Sequence, residues 1–304
     1  MNSIQDQRVI VTGASGLVGT RLCAALEQAG ARVTRAVRRP VRGGGNELYW
    51  NPATGEIDAA GFEGADAVVH LAGENISEDR WTDSFKQKIR DSRVGGTRLV
   101  SETIARAAHG PRTLLCASAI GYYGNRGDEL LSETAPPADD FLARVCQEWE
   151  AASQGARDAG VRVVNTRIGV ILSPDGGALK KMLTPFKLGV GGRISSGRQY
   201  MSWVAIDDVV QAMMFALTHP TLEGPVNLAA PQPVTNLEFT KTLGRVLKRP
   251  TLLPVPGFAL RLAFGEMADA LLLSSTRVAP QALREAGYKF QYAELEPALR
   301  HLLK

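Results

Sequence analysis

A doubly wound α/β fold, a mostly parallel sheet with helices on both faces, is what this chain predicts, and three observations predict it. Short β-rich runs alternate with helical stretches through the first half of the 304 residues. The apolar runs lack clean period-2 alternation, as expected of strands covered on both sides. The segment "VIVTGASGLVGTRL" places a glycine-rich turn between the first strand and the first helix. Strand–helix alternation of this kind implies right-handed crossovers and a buried sheet.

The elements follow in order. "RVIVT" (8–12) is the first strand, and an amphipathic helix runs from Leu17 to Gln28, closed by Gly30. "RVTRAV" (32–37) is the second strand, and the Gly-rich polar stretch 42–64, with "NPATGE", reads as turns. "DAVVHLAG" (66–73) is the third strand, a long helix covers 82–108, and "TLLCAS" (113–118) is the fourth strand. A helix over 139–159 leads to the fifth strand, "VRVVNTRIGVIL" (161–172). The rhythm then loosens into the loops "SPDGG", "LGVGGRISSGRQ" and "PQP", with helices at 207–218 and 236–247. "PVNLAA" (225–230) is placed to return to the sheet edge. This divides the chain into a core, 1–171 with 200–230 returning to it, and a C-terminal lobe formed by 172–199 and 231–304. Within that lobe the Gly-rich segment 186–199 is expected to be a mobile rim.

Composition excludes several classes. Charged residues at 22% and a net charge of +4 are ordinary for a globular protein, and the basic residues are scattered rather than striped. Nucleic acid is therefore not an expected partner, whereas an anionic small ligand fits the modest positive excess. The three cysteines, Cys23, Cys116 and Cys146, show neither disulfide nor metal-ligand spacing, which points to a reducing, cytoplasmic setting and no metal. No apolar run reaches membrane-spanning length, so no membrane is expected. The expected partner is a small-molecule substrate, with the chain acting as a monomer or homodimer.

The glycine turn carries the first chemistry. Gly13, Gly16 and Gly19 are spaced G-x-x-G-x-x-G. The first permits a tight turn, the second lets backbone approach a pyrophosphate, and the third lets helix and strand pack closely. Free N–H groups over Gly13, Ala14, Ser15, Gly16, Leu17, Val18 and Gly19 then meet phosphate charge at the helix start. The second strand selects the dinucleotide. An acidic residue there would bind a ribose 2′-hydroxyl, but none occurs between Glu27 and Glu47. Arg35, Arg38 and Arg39 stand there instead, and arginine forks match a 2′-phosphate. The reading is NADP(H), with Arg38 the leading contact and Arg39 beside it.

With this turn, "HLAG" after the third strand and Ser118 after the fourth, the chain resembles an extended short-chain dehydrogenase/reductase of Rossmann type. More narrowly it resembles the epimerase-like, SDR39U-type group. "LAGENI", "SAIGYYG", "RIGVILSPDGGALKKML", "GRQYMSWVAIDD" and "GEMADALLLSSTRVAPQALREAGYKF" are similar to that group's recurring segments. The resemblance implies a C-terminal lobe that caps a substrate cleft. It also implies further cofactor contacts from Leu71, Ala72, Gly73, Lys88, Arg93 and Ile171.

One pattern of the superfamily is broken. Its enzymes pair a tyrosine with a lysine four residues later, and the cation helps the phenol shuttle a proton. Here the helix reads "DDFLARVCQEWEAA", with Phe141 or Leu142 in the tyrosine's place and Val145 or Cys146 in the lysine's. Ser118 matches the serine or threonine that hydrogen-bonds the reacting oxygen, and Tyr122 or Tyr123 follows it, so these three are the candidate catalytic residues. Glu148 and Glu150 read as solvent-facing, and His70, inside an apolar strand, as a core histidine. Arg193, Arg198 and Tyr200 are candidates to hold an anionic substrate group. Two functions follow: an NADP-dependent, epimerase-like oxidoreductase with a non-standard active site, acting on a small carbonyl, hydroxyl or sugar-nucleotide-like substrate, or a non-catalytic NADP(H)-binding sensor or scaffold.

Overall fold

The structure is a computed structural model that describes residues 3–41 and 45–304. Strand β1 (Arg8–Thr12) leads to helix α1 (Leu17–Gln28), β2 (Arg32–Val37), β3 (Glu47–Asn51) and β4 (Glu56–Ile57). Next come β5 (Ala67–His70), α2 (Asp83–Arg106), β6 (Thr113–Ala119), β7 (Leu130–Leu131), α3 (Phe141–Ala151), α4 (Gln154–Asp158) and β8 (Arg162–Ile168). The chain continues through β9 (Val170–Leu172), α5 (Gly177–Lys187), β10 (Tyr200–Met201), β11 (Trp203–Ala205), α6 (Ile206–Thr218) and β12 (Gly224–Leu228). It ends with β13 (Val234–Thr235), α7 (Asn236–Leu247), α8 (Gly257–Phe264), α9 (Glu266–Ala268), β14 (Arg277–Val278), α10 (Gln281–Glu285) and α11 (Leu295–Leu302).

The central sheet has eight strands in the order β12-β8-β6-β5-β1-β2-β3-β4. All neighbours are parallel except the β3–β4 edge pair. Side chains alternate between two buried faces. Val9 and Val11 pack with Leu22 and Leu26 of α1 and Val209 and Met213 of α6. Ile10, between them in sequence, packs on the other face with Val100 and Ile104 of α2. Because both faces bury apolar side chains, the strands read as continuous apolar runs. The sequence order reverses between β1 and β5, and the edge formed there by the strands' carboxyl ends is the place where such sheets open a crevice.

A second layer builds on β9, which leaves the main sheet and pairs in parallel with β11. There Leu179, Leu183 and Phe186 of α5 meet Trp203, Phe239 and Leu243 of α7 and Leu299 of α11. Asp208 fastens the C-terminal segment to α6, accepting from the backbone N–H groups of Gln291 and Tyr292, both at 2.8 Å.

Three expectations are corrected. The stretch 42–64 is not all turns: it holds β3 and β4, with residues 42–44 outside the described residues. In "ELYWN", Leu48 and Trp50 alternate into the core, a signal only five residues long amid polar neighbours. The run 161–172 is two strands, because Gly169 turns the backbone where a Cβ would stand 2.5 Å from the Ser202 carbonyl oxygen. The helix over 139–159 divides into α3 and α4 around Ala152 and Ser153. The segment 186–199 is bonded to the rest of the lobe at Arg193, Ile194 and Ser195. Ser195 N–H donates to the Val255 carbonyl at 2.8 Å, Val255 N–H donates to the Arg193 carbonyl at 2.8 Å, and Ile194 N–H donates to Asn236 Oδ1 at 2.7 Å. Added side-chain atoms at Gly191 and Gly192 would run into Phe186 and the Leu253 backbone. Gly191 and Gly192 thus stand where the packing leaves no room for a side chain.

Candidate functional site

The crevice at the switch point is made by two loops that touch. Gly13 follows β1 with φ +67, a conformation that favours glycine, and a Cβ there would lie 2.9 Å from the Ala72 nitrogen. A Cβ on Gly19 would run into the Gly13 carbonyl oxygen, so α1 starts tight against the turn. Ser15 and Gly16 stand exposed at the helix N-terminus, where unpaired N–H groups and the helix dipole favour an anion. Below them, Thr12 Oγ1 accepts from Leu71 N–H at 3.2 Å and lies 2.8 Å from His70 Nδ1. This buried contact fixes the end of β1 against the end of β5. Burial pushes the His70 pKa down to about 4, so the ring is neutral, as a core histidine should be. Leu17, Val18 and Ile171 of β9 are half-buried against the same apolar cluster.

The three arginines of the second strand differ in their partners. Arg35 bridges Glu27 at 2.6 Å, and Arg39 grips both oxygens of Glu47 at 2.6 and 2.8 Å. Arg38, exposed just beyond β2, has no carboxylate partner among the described residues. Thr12 pairs with Ala36, which sets Arg38 on the same sheet edge as the glycine turn. Arg39 is thus engaged by a carboxylate and Arg38 is not. The other basic candidates part similarly. Arg93 is largely buried; its guanidinium donates to the carbonyls of Ile89 and Glu74 at 3.1 and 3.0 Å and packs against Gly73, bracing the loop after β5. Lys88 is exposed and five positions earlier, about 140° around the helix, so it does not share Arg93's face.

Ser118 is the last residue but one of β6, and a 3-10 turn, Ile120–Tyr123, follows the strand. Gly124, at φ +62, lets the chain leave the turn. Successive side chains of this turn point apart, so the two tyrosines meet different surroundings. Tyr123 is 0% exposed: its hydroxyl donates to Asn227 Oδ1 at 2.7 Å and accepts from Arg167 Nη1 at 2.9 Å. Burial raises its pKa, and both of its hydroxyl's contacts are to protein. Tyr122 is half-buried, with the Arg167 guanidinium 3.5 Å from its ring centroid, and its hydroxyl has no protein partner among the described residues.

Arg167 and Glu150 organise this site, and sequence reasoning missed both. Arg167 Nε and Nη2 donate to the two oxygens of Glu150, each at 2.8 Å. Ser118 Oγ donates to Glu150 Oε1 at 2.7 Å. Burial opposes the guanidinium's charge, but the Glu150 carboxylate outweighs it and raises the Arg167 pKa overall. Glu150 therefore does not face solvent. Its signal was Arg167 itself: a cation in the apolar run "VVNTRIGVIL" demands a buried partner. The missing dyad is also resolved to one register. Gly121 lies against the Cβ of Leu142 and Sγ of Cys146, while Phe141 packs on Trp81 and Val145 on Phe85 and Ile89. Leu142 and Cys146 thus face the site where tyrosine and lysine were sought, and burial pushes the Cys146 thiol up to about 12.

Farther out, Tyr200 is tied to the same turn: its N–H donates to Ser275 Oγ, and Ser275 N–H donates to Asn125 Oδ1. The Arg277 guanidinium lies 4.8 Å from the Tyr200 ring centroid. Arg193 and Arg198 are exposed, and Arg193 Nη1 donates to the Ser196 carbonyl. The described residues hold no cluster that could take a metal. No helix among them is long and apolar enough to cross a membrane.

Comparison with known proteins agrees with this geometry. The profile of the NAD dependent epimerase/dehydratase family matches residues 9–229, and that of a domain of unknown function, DUF1731, matches residues 255–302. The chain is 47% identical over 291 residues to epimerase family protein Mb2239 of Mycobacterium bovis, covering 96% of each. It is 35% identical to human epimerase family protein SDR39U1, covering 97% of this chain and 99% of the human one. A crystal structure of human SDR39U1 (isoform2) with NADPH superposes with TM-score 0.90 at 33% identity, over 97% of this chain and 99% of that one. A nucleoside-diphosphate sugar epimerase from Corynebacterium glutamicum gives TM-score 0.83 at 36% identity, covering all of this chain and 59% of that one. The chain belongs to the NAD dependent epimerase/dehydratase family, as an extended short-chain dehydrogenase/reductase of the SDR39U1 kind.

Proposed function

We propose that the chain binds NADP(H) in the switch-point crevice and acts as an epimerase-like oxidoreductase on a small carbonyl or hydroxyl compound, sugar-nucleotide-like ones included. The observation that carries the reading is Arg38, free of carboxylates beside a glycine turn that a Cβ would block. The similar human protein crystallised with NADPH supports it. When bound, the nicotinamide accepts or returns a hydride, and this chain's residues handle the substrate oxygen. Ser118 spends its proton on Glu150. Its oxygen therefore meets a substrate with lone pairs and accepts from a hydroxyl. Tyr122 keeps a hydroxyl to donate to a carbonyl oxygen. Residues 172–199 and 231–304 form the lobe over this edge, with Arg193, Arg198 and Tyr200 toward the substrate's anionic part.

The test is titration of NADPH and NADH against wild type and Arg38→Ala. A lost charge-assisted hydrogen bond of about 1.5–3 kcal/mol weakens NADPH roughly 10- to 150-fold and leaves NADH unchanged. Equal losses for both cofactors refute the assignment. A second reading, a non-catalytic NADP(H) sensor or scaffold, is favoured by Leu142 and Cys146, which can neither shuttle nor stabilise a proton. Tight NADPH binding with no turnover across carbonyl compounds and sugar nucleotides would select it.

A further inference from the structure

Helix α8, "GFALRLAF", is apolar except for Arg261 and buries none of its residues. Phe258 and Leu262, 73% and 80% exposed, lie one turn apart and share a face. Leu252 is 85% exposed, and Leu253, Leu188 and Val190 are exposed beside it. These residues form one surface, because the segments that carry them run side by side. Arg249 Nε donates to the Lys187 carbonyl at 2.8 Å, Gly189 lies against Pro250, and Val255 and Ser195 share a backbone hydrogen bond. Scattered exposed apolar residues are ordinary, but a contiguous patch of this kind marks a contact.

The charge around the patch says what it contacts. No carboxylate occurs between Asp175 and Asp207 or between Glu238 and Glu266, the two spans that carry the patch. Lys187, Lys248 and Arg249 are exposed there with no carboxylate partner among the described residues. The nearest acids are neutralised, Glu266 by Lys86 and Asp269 by Arg261. Glu78 and Asp79 are exposed next to Arg80, which bonds the Leu262 carbonyl, so the face ends there. A second copy meeting this face about a two-fold axis would bring the same cations together.

We propose that this face docks the protein peripherally on an anionic lipid surface. Leu252, Leu253, Phe258 and Leu262 enter the headgroup layer, and Lys187, Lys248 and Arg249 meet lipid phosphates. No spanning segment is needed.

The test is co-sedimentation of the full chain with vesicles of phosphatidylcholine alone or of equimolar phosphatidylcholine and phosphatidylglycerol. Binding is expected to the anionic vesicles and to weaken with salt, which shortens the Debye length. Each surface cation strengthens such binding about fivefold, so Lys248→Glu with Arg249→Glu should weaken it at least ~25-fold. Leu252→Asp with Phe258→Asp should abolish it, with an unchanged melting temperature showing an intact fold. Equal affinity for the two vesicles, no binding to either, or full binding by the aspartate variant overturns the proposal. A dimer that the aspartate variant splits, in a wild type that ignores vesicles, assigns the face to a second copy and overturns it equally.

Discussion

Replacing Glu150 by alanine tests the buried network directly. Three donors lose their acceptor: Ser118 Oγ, Arg167 Nε and Arg167 Nη2. The Arg167 side chain is 4% exposed, so its charge cannot turn to water when its partner is gone. It keeps only the Tyr123 hydroxyl and the Glu133 carbonyl, both uncharged. Breaking a buried pair from one side costs about 3–5 kcal/mol. Unfolding entropy of about 2.1 cal/mol/K per residue comes to about 640 cal/mol/K for a chain of this length, so the melting temperature should fall by roughly 5–8 °C. Differential scanning calorimetry of Glu150→Ala, Arg167→Met and the double variant reads both the loss and the coupling. The double variant should be less destabilised than the sum of the singles by about 2 kcal/mol, because the orphaned charge is gone. A Glu150→Ala protein that melts within about a degree of wild type, or single losses that simply add, would refute the account of Arg167 as a charge held by Glu150.

Three other outcomes are expected. Tyr123→Phe strands Asn227 Oδ1 and costs about 1–3 kcal/mol of stability, whereas Tyr122→Phe leaves stability unchanged and lowers turnover of any substrate found; denaturant melts and assays separate the two. Arg39→Ala, unlike Arg38→Ala, should change NADPH affinity little, because Glu47 already holds that guanidinium; calorimetric titration checks it. His70 makes the fold acid-sensitive: its folded pKa of about 4 lies below the unfolded value of 6.5, so only the unfolded chain takes the proton between them. The stability is therefore present above pH ~6.5 and lost as pH falls toward ~4, by about 3 kcal/mol, and the acid limb of a His70→Asn variant should be shallower by that amount.

What the sequence showed and what it hid divides on physical lines. The glycine turn was legible because backbone constraints are local: Gly13, Gly16 and Gly19 are needed by a turn of seven residues. Strand β3 was hidden because Leu48 and Trp50 give only one period of alternation. The tyrosines could not be separated because neighbours in a 3-10 turn point about 120° apart, and only the fold decides which points inward. The ion pair was hidden as an address, though not as a demand. Arg167 in an apolar strand required a carboxylate, but both Glu148 and Glu150 stood on the facing helix. Helical geometry chooses between them. Glu150 lies four residues beyond Cys146, on the face turned toward Gly121 and Ser118, while Glu148 lies off that face and bridges Arg90 at 2.6 Å. The same geometry explains why loss of the tyrosine–lysine pair leaves a structured site. The helix face that would carry a lysine carries a carboxylate one turn later, and the cation comes instead from β8, meeting Tyr122 through the face of its ring. A cation held there, already paired with Glu150, fixes the Tyr122 ring and the Ser118 hydroxyl without itself being available to exchange a proton, and under the proposed function the acid–base work would fall on Tyr122 and on the substrate's own hydroxyl.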